Sequence, residues 1–506
     1  MPSPLSTIAS LLDTAKGIHK GVFGRDGEGA GVAPGRVEVL GNHTDYNDGF
    51  VLSAAIDRYT VQVGSMNSEE EGDVFHFHSA NFGESKTVSF KLDEKRMEGE
   101  ERWANYVKGP LLKLKERGVK VRGFSSVIYG DLPVGAGMSS SAAIGVSTVM
   151  LYSALFYPAS SPSLTSLLSS LPHPAATSTT VTTSASSTSE SAFPLSKIEV
   201  ARLVQKSENE FVGVNCGLLD QVSSTFGEDN CLLYLDCRTL RGGSSGGGQK
   251  EVEEGNKEEE GAGEIGVCTI PLPPSCQLLL VHSLSDHELA DGTYNRLTED
   301  CAAAAAALGV SHLRDATVAD LPRLFADSHL SDRQKMRGRH VVSENERVRQ
   351  AVSALRHAAP PPSSSPNLAE QKSAVEGDEQ NEEGKEAGVI KLGELMYASH
   401  NSSRDDFGNS VVELDEMVAY AYAKTTGSSS GDDGGKQMES GRGRGGVFGC
   451  RLCGGGYGGC VICLVEAEEV DRIEEGLKKK VEERTGKSPP SYRCSAVKGA
   501  FSVLLA

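Results

Sequence analysis

The sequence predicts a mixed α/β protein in two halves, with a boundary near residue 235. Three observations carry that prediction. Short apolar strands alternate with helical runs along most of the 506 residues, which is chain enough for two cores. Four polar stretches interrupt the alternation without offering a core of their own. A strand feeds a glycine–serine loop and then a helix across Leu132 to Gly145, a junction that α/β folds use repeatedly.

The elements follow in order. An apolar-leaning strand, "GRVEVLG", ends in seven consecutive polar residues, Asn42 to Asp48. "GFSSVIYGDLPVG" reads as a strand ending in a turn, and "SSSAAIGVSTVMLYSALF" as a helix rich in small residues. "LSKIEVARLVQKSENEF" places apolar residues at helical spacing and leads into "GVNCGLLDQVSSTFG". "NCLLYLDCR" and "CQLLLVHS" are short apolar strands, and "EDCAAAAAALGV" is an alanine-rich helix closed by glycine. "GVFGCRLC" and "CVICLVEA" are strands around a glycine-rich turn, followed by the charged amphipathic helix "EEVDRIEEGLKKKVEERTG". The interruptions at 159–194, 242–266, 360–386 and 425–446 are rich in Ser, Thr, Pro, Gly or acid and are expected to be mobile loops.

Composition narrows the function. Lys and Arg number 50 against 69 Asp and Glu, a formal charge of −19, which argues against nucleic-acid or anionic-membrane partners. No apolar run approaches the roughly 20 residues a spanning helix needs. The first residues lack the basic start and apolar middle of a secretory signal. Eleven cysteines, an odd number, fit reduced thiols and a cytoplasmic location better than a disulfide framework. A monomer is expected.

Three glycine-rich stretches compete to be a binding loop. In "LPVGAGMSSSAAIG", Gly135 and Gly137 precede Ser139, Ser140 and Ser141, which open a helix. Unpaired backbone N–H groups and the positive helix end then face one point, a ready phosphate site. It is not a Walker loop, because no lysine follows the glycines. "TGKSPP" fails as well, since Val481 replaces the first Walker glycine and prolines stop the required helix. "GGGYGG", Gly454 to Gly459, matches the dinucleotide fingerprint in letters, but a strand follows where that motif needs a helix. Its glycines are expected to allow close backbone approach. Cys450, Cys453, Cys460 and Cys463 have the look of a zinc site. On strands, however, side chains three apart point to opposite faces, so neither pair can chelate one ion.

Together, "APGRVEVLGNHTDYNDG", "LPVGAGMSSSAAIG" and "CGGGYGGC" stand in the order of the three motifs of the GHMP small-molecule kinases, and the first resembles the galactokinase signature. "WANYVKG", "SENEFVGVNCGLLDQ", "TYNRLTEDC", "RHVVSENERV" and "SHNSSRDDF" extend the resemblance over nearly everything outside the four interruptions. It implies a two-domain fold: a ribosomal-protein-S5-like domain over 1–235, and a ferredoxin-like domain over 236–506, with ATP and sugar in the cleft between them. The implied reaction moves the γ-phosphoryl of ATP to the C1 hydroxyl of D-galactose or a close relative, with Mg²⁺ as cofactor. A non-catalytic sugar sensor and an N-acetylgalactosamine kinase are the alternatives.

The resemblance also implies roles, residue by residue. Asp220 matches the catalytic carboxylate and Arg36 the arginine beside it. Asn42, His43, Asp45, Gly217 and Tyr294 match the sugar pocket. Ser141 and Glu208 match the magnesium ligands, hard oxygen donors of the kind Mg²⁺ prefers. Gly135, Gly137 and the three serines hold nucleotide phosphates, and Trp103, the only tryptophan, flanks the adenine. Two positions depart from the pattern near the sugar: Asn42 stands where galactokinases usually carry glutamate, and Asp48 replaces a glycine.

Overall fold

The computed structural model describes residues 3–81, 87–93, 95–133, 135–169, 192–242, 265–286, 293–357, 374–426 and 445–505. The larger sheet is built from β1 (Gly29–Leu40), β2 (Phe50–Met66), β3 (Val74–Ser79), β4 (Thr87–Lys91), β5 (Phe124–Gly130), β6 (Cys231–Asp236) and β7 (Val267–Pro271). The smaller contains β8 (Cys276–Asp286), β9 (Val447–Leu452), β10 (Gly458–Glu466) and β11 (Ser491–Cys494), and β12 (Phe501–Leu504) returns to the larger. The larger sheet runs β12-β1-β2-β5-β3-β4, with β6 paired to β2 and β7 paired to β6. The smaller runs β11-β8-β10-β9 and is antiparallel throughout. The expected division near 235 therefore coincides with the end of β6, yet β7 and β12 beyond it still belong to the larger sheet.

The helices are α1 (Pro4–Phe23), α2 (Asn105–Glu116), α3 (Ser140–Phe156), α4 (Leu164–Ser169), α5 (Lys197–Ser207), α6 (Leu219–Phe226) and α7 (Cys237–Leu240). Next come α8 (Thr293–Ala307), α9 (Leu321–Ala326), α10 (Asp332–His357), α11 (Ala374–Ser402), α12 (Val412–Thr426) and α13 (Val470–Thr485). Small residues on α3 have a direct reason: a Cβ on Gly31 of β1 would sit 2.1 Å from Ser147 O. Helix and strand thus pack backbone to backbone, leaving α3 buried from Ala142 to Leu155. A capping box of Ser196 and Glu199 starts α5, and Gly486, at φ 68°, closes α13.

Two expectations need adjustment or placement. Residues 374–386 were expected within a loop but form the first turns of α11. Five of the thirteen residues of "AVEGDEQNEEGKE" are Glu, whose helix propensity outweighs the run's polarity and its two glycines. The other interruptions fall mostly outside the described residues. The four clustered cysteines divide between two cores: Cys450 and Cys463 pack with α12 and α13, whereas Cys453 and Cys460 belong to the main core. Among the described residues no helix is long and apolar enough to cross a membrane.

Candidate active site

Arg36 of β1 and the start of α3 face a cleft of about 660 Å³. Its walls are the loop 135–141, the glycine turn 453–459, and Arg36, Asp220 and Ser285. Gly135 and Gly137 take φ values of 78° and 73°, and Ser139 adopts the left-handed region at φ 58°. The two loops touch: a Cβ on Gly137 would lie 3.0 Å from Cys453 O, and one on Gly454 3.3 Å from Gly137 O. Glycine at both positions is what permits this approach. Ser139 Oγ is buried with no hydrogen-bond partner among the described residues, so the loop holds an unsatisfied hydroxyl beside a helix N-terminus, where anions bind.

Arg36 and Asp220 meet at the floor of the cleft. Arg36, 6% exposed, donates from Nε to Asp220 Oδ1 at 2.8 Å and from Nη1 to Gly137 O at 2.5 Å. One arginine thereby ties the carboxylate on α6 to the phosphate loop. Glu208 opens a π-helical turn (Glu208–Val212) after α5 and accepts from Gln221 Nε2 at 2.8 Å. Burial raises its carboxyl to about 7, against the opposing hydrogen bonds from Gln221 and Ser141. Ser141 and Glu208, remote in sequence, are therefore neighbours.

The polar segment Asn42 to Asp48 follows β1. Asp45 is buried, and its carboxyl is pushed up to about 7, first by desolvation and then by the charges of Asp220 and Glu38. It accepts from the backbone N–H of Tyr46 and from no side chain among the described residues. Gly217 makes room for it: a Cβ there would fall 2.0 Å from Asp45 Oδ2. His43 is buried, with its ring stacked on Phe407 at 4.2 Å. Its Nε2 faces Gly455 O at 3.2 Å and its Nδ1 the Tyr46 hydroxyl at 3.1 Å, and desolvation lowers its pKa to about 3. Asn42, 1% exposed, is bonded to protein partners on both its amide nitrogen and its oxygen. Asp48 tolerates φ 56°, as Asp can, and its carboxylate is held by Arg241 at 3.0 Å and His312 at 3.2 Å.

Two expected residues stand apart. The Tyr294 side chain lies outside the described residues, although Asn215 donates to Asn295 at 3.0 Å, which brings the start of α8 beside Gly217. Trp103 is half-buried against the main core, in a 3₁₀ turn, and is not part of the cleft wall described above. Residues with no assigned role in the sequence reading prove central to the segment's placement. Glu344 of α10 accepts from the backbone N–H of Gly41 at 2.9 Å and of Asn42 at 3.2 Å. Asn345 accepts from Phe50 N at 2.9 Å. His340 and Glu344 sit one turn apart on the same buried face as Val341 and Val348, a burial that the polar run "SENER" does not show in sequence.

Comparison with known proteins agrees with this geometry. Residues 18–66 match the galactokinase galactose-binding signature, and residues 105–228 the GHMP kinases N terminal domain. A galactokinase of Haemophilus influenzae is 30% identical over 469 residues, covering 92% of this chain and 93% of its own. One from Mannheimia succiniciproducens is 29% identical over 490 residues, 96% and 98% of the two chains. The fold resembles that of Lactococcus lactis galactokinase, solved in complex with galactose, with a TM-score of 0.69 at 24% identity over 97% and 99% of the chains. Methanococcus jannaschii mevalonate kinase aligns at a TM-score of 0.51 with 14% identity over 94% and 100%. Fold and cleft together define a GHMP small-molecule kinase. Within that class, the chain belongs to the galactokinase family.

Proposed function

We propose that this protein transfers the γ-phosphoryl group of ATP to the C1 hydroxyl of D-galactose, giving α-D-galactose 1-phosphate and ADP. The observation that carries the reading is the Arg36–Asp220 pair, bonded at 2.8 Å at the floor of a cleft lined by the phosphate loop. Phosphoryl transfer is mostly positioning and charge neutralisation. Asp220 accepts the hydrogen bond, and then the proton, of the attacking hydroxyl. Arg36 orients that carboxylate and offers positive charge to the transferring group. Asp45 accepts from two adjacent sugar hydroxyls, and that pairing reads their stereochemistry. The helix N-terminus and Ser139 to Ser141 receive the nucleotide phosphates.

The site suits Mg²⁺. A buried carboxyl raised to about 7 beside a serine hydroxyl is a costly anion by itself and a good hard-oxygen pair for a cation. Ser141 and Glu208 would hold the ion, which supplies charge neutralisation to the phosphates when bound. An intact Arg36–Asp220 pair with small Ala142 and Ala143 behind the serines supports turnover over a binding-only sensor. One chain supplies every group named, so a monomer suffices, and eleven free thiols support a cytoplasmic location.

The test is a coupled ADP-release assay across a hexose panel that includes N-acetylgalactosamine, on wild type and Asp220→Asn. Galactose should be the preferred acceptor, and the variant should lose about 10³-fold in kcat with galactose affinity kept. A different preferred sugar overturns the substrate. Turnover retained in the variant removes Asp220 from the chemistry.

A further inference from the structure

Asn42 occupies a position expected to touch the sugar, but its surroundings point elsewhere. An amide side chain has two N–H donors and two acceptor lone pairs. Here the N–H groups go to Glu38 Oε1 at 2.9 Å and Gly454 O at 2.8 Å. The oxygen accepts from Ser403 Oγ at 3.3 Å and Asn409 Nδ2 at 2.9 Å. All four valences are taken, and the side chain is 1% exposed. The partners come from β1, the glycine turn, and the segment that follows α11.

Glu38 explains why the residue is neutral. Its Oε1 also accepts from Arg451 Nη1 at 2.8 Å, and Arg451 is fully buried on β9. That bond pairs the carboxylate with Nη1 of the guanidinium, whose Nε and Nη2 make no hydrogen bond among the described residues. A second carboxylate at position 42 would face two acceptors, Glu38 and Gly454 O, in a buried setting.

We propose that Asn42 is a positioning residue, not a sugar ligand, and that the Glu38–Asn42 pair couples the sugar segment to the glycine turn. The coupling has a short path. Asn42 adjoins His43 in the segment, and the carbonyl it holds belongs to Gly454, which packs directly on Gly137 of the phosphate loop. The two substrate-facing walls are thus held in register from their buried side. The proposal rests on the galactokinase reading of the cleft for its sugar kinetics but not for its nucleotide readout.

The test uses isosteric changes in the full chain. Asn42→Asp turns the donor into an acceptor at both bonds. Glu38→Gln then provides a donor, so the double variant restores one bond with reversed polarity at unchanged net charge. Asn42→Asp should weaken binding of a non-hydrolysable ATP analogue, measured without sugar, by about tenfold, and the double variant should recover about fivefold of it. In turnover, KM for ATP and for galactose should rise together. Asn42→Ala, which adds no charge, should move the same readouts in the same direction and serves if the aspartate variant does not fold. A rise in galactose KM with nucleotide affinity unchanged would make Asn42 a sugar ligand and overturn the proposal. So would a double variant no better than Asn42→Asp, or a lower melting temperature with unaltered binding. If wild type phosphorylates no hexose, the functional reading falls while the nucleotide comparison still decides the coupling.

Discussion

Gly217 shows how little room surrounds the Asp45 carboxylate. Its hydrogen stands where any Cβ would meet the Asp45 carboxylate at 2.0 Å, closer than nonbonded atoms tolerate. Gly217→Ala must therefore displace that carboxylate or the segment that carries Gly217. The loss of one charge-assisted hydrogen bond to a sugar hydroxyl corresponds to about 1.5–3 kcal/mol, so galactose KM should rise about tenfold to a hundredfold. ATP-analogue affinity should stay, because Gly217 is not among the residues that line the cleft at the loop 135–141. Steady-state kinetics with both substrates varied checks this. Equal losses on both sides would mean that the alanine disturbs the whole cleft. Left-handed backbone recurs at the site in residues with side chains: His43 at φ 60°, Ser139 at φ 58° and Tyr457 at φ 61°. Such conformations persist where surrounding structure over-determines them.

Between elements, the decisive contact is α10 against the turn after β1. Glu344 is fully buried, and its carboxyl is held well below the usual range: Arg347, then His340 and Arg451, outweigh the opposing cost of burial. It accepts from Gly41 N, Asn42 N and Ser399 Oγ. Glu344→Gln should lower stability by about 1–3 kcal/mol and loosen the segment. The specific readout is hydrogen exchange, in which the amides of Gly41 and Asn42 should lose protection ahead of the sheet. Unchanged exchange at those two amides would show that Glu344 does not hold them. This contact also marks where legibility ended. The strands, α3 with its small residues and the phosphate loop were readable, because each is a local pattern: alternation, a glycine pair, a serine-opened helix. The Arg36–Asp220 and Ser141–Glu208 pairings came from motif resemblance alone. Glu344 was quoted within "SENER" but carried no visible role, since a buried glutamate on a helix is indistinguishable in sequence from a solvated one. Its partner is a backbone amide some 300 residues away. The saturation of Asn42 and the return of β12 to the first sheet were hidden for the same reason. Both depend on long-range contacts that no window along the chain contains.

Taken over the whole chain, the buried site makes stability depend on pH in two opposing ways. Asp45 and Glu208 have carboxyls raised to about 7, chiefly by burial. Between their ordinary range and pH 7 the folded state then binds more protons than the unfolded, so stability falls as pH rises through that window. His43 and His340 are lowered to about 3 and about 4, again chiefly by burial. For them the unfolded state binds more protons, so stability grows as pH rises from about 4 to about 6.5. The trends offset each other, and the profile of the wild type alone cannot separate them. A single isosteric change can. Asp45→Asn removes one titrating group and leaves the histidines in place. Near pH 4.5 the variant and wild type should unfold at similar denaturant midpoints. The variant should gain relative to wild type as pH rises to 7, by at most about 1.4 kcal/mol per unit of raised pKa, and the gap should level off above. Urea unfolding at pH 4.5, 6 and 8 measures it. A gap that stays constant with pH would mean Asp45 is not a destabilised buried acid. A growing gap would identify the cost that a hydrogen-bonding ligand would offset at this carboxylate, the role proposed above for sugar hydroxyls.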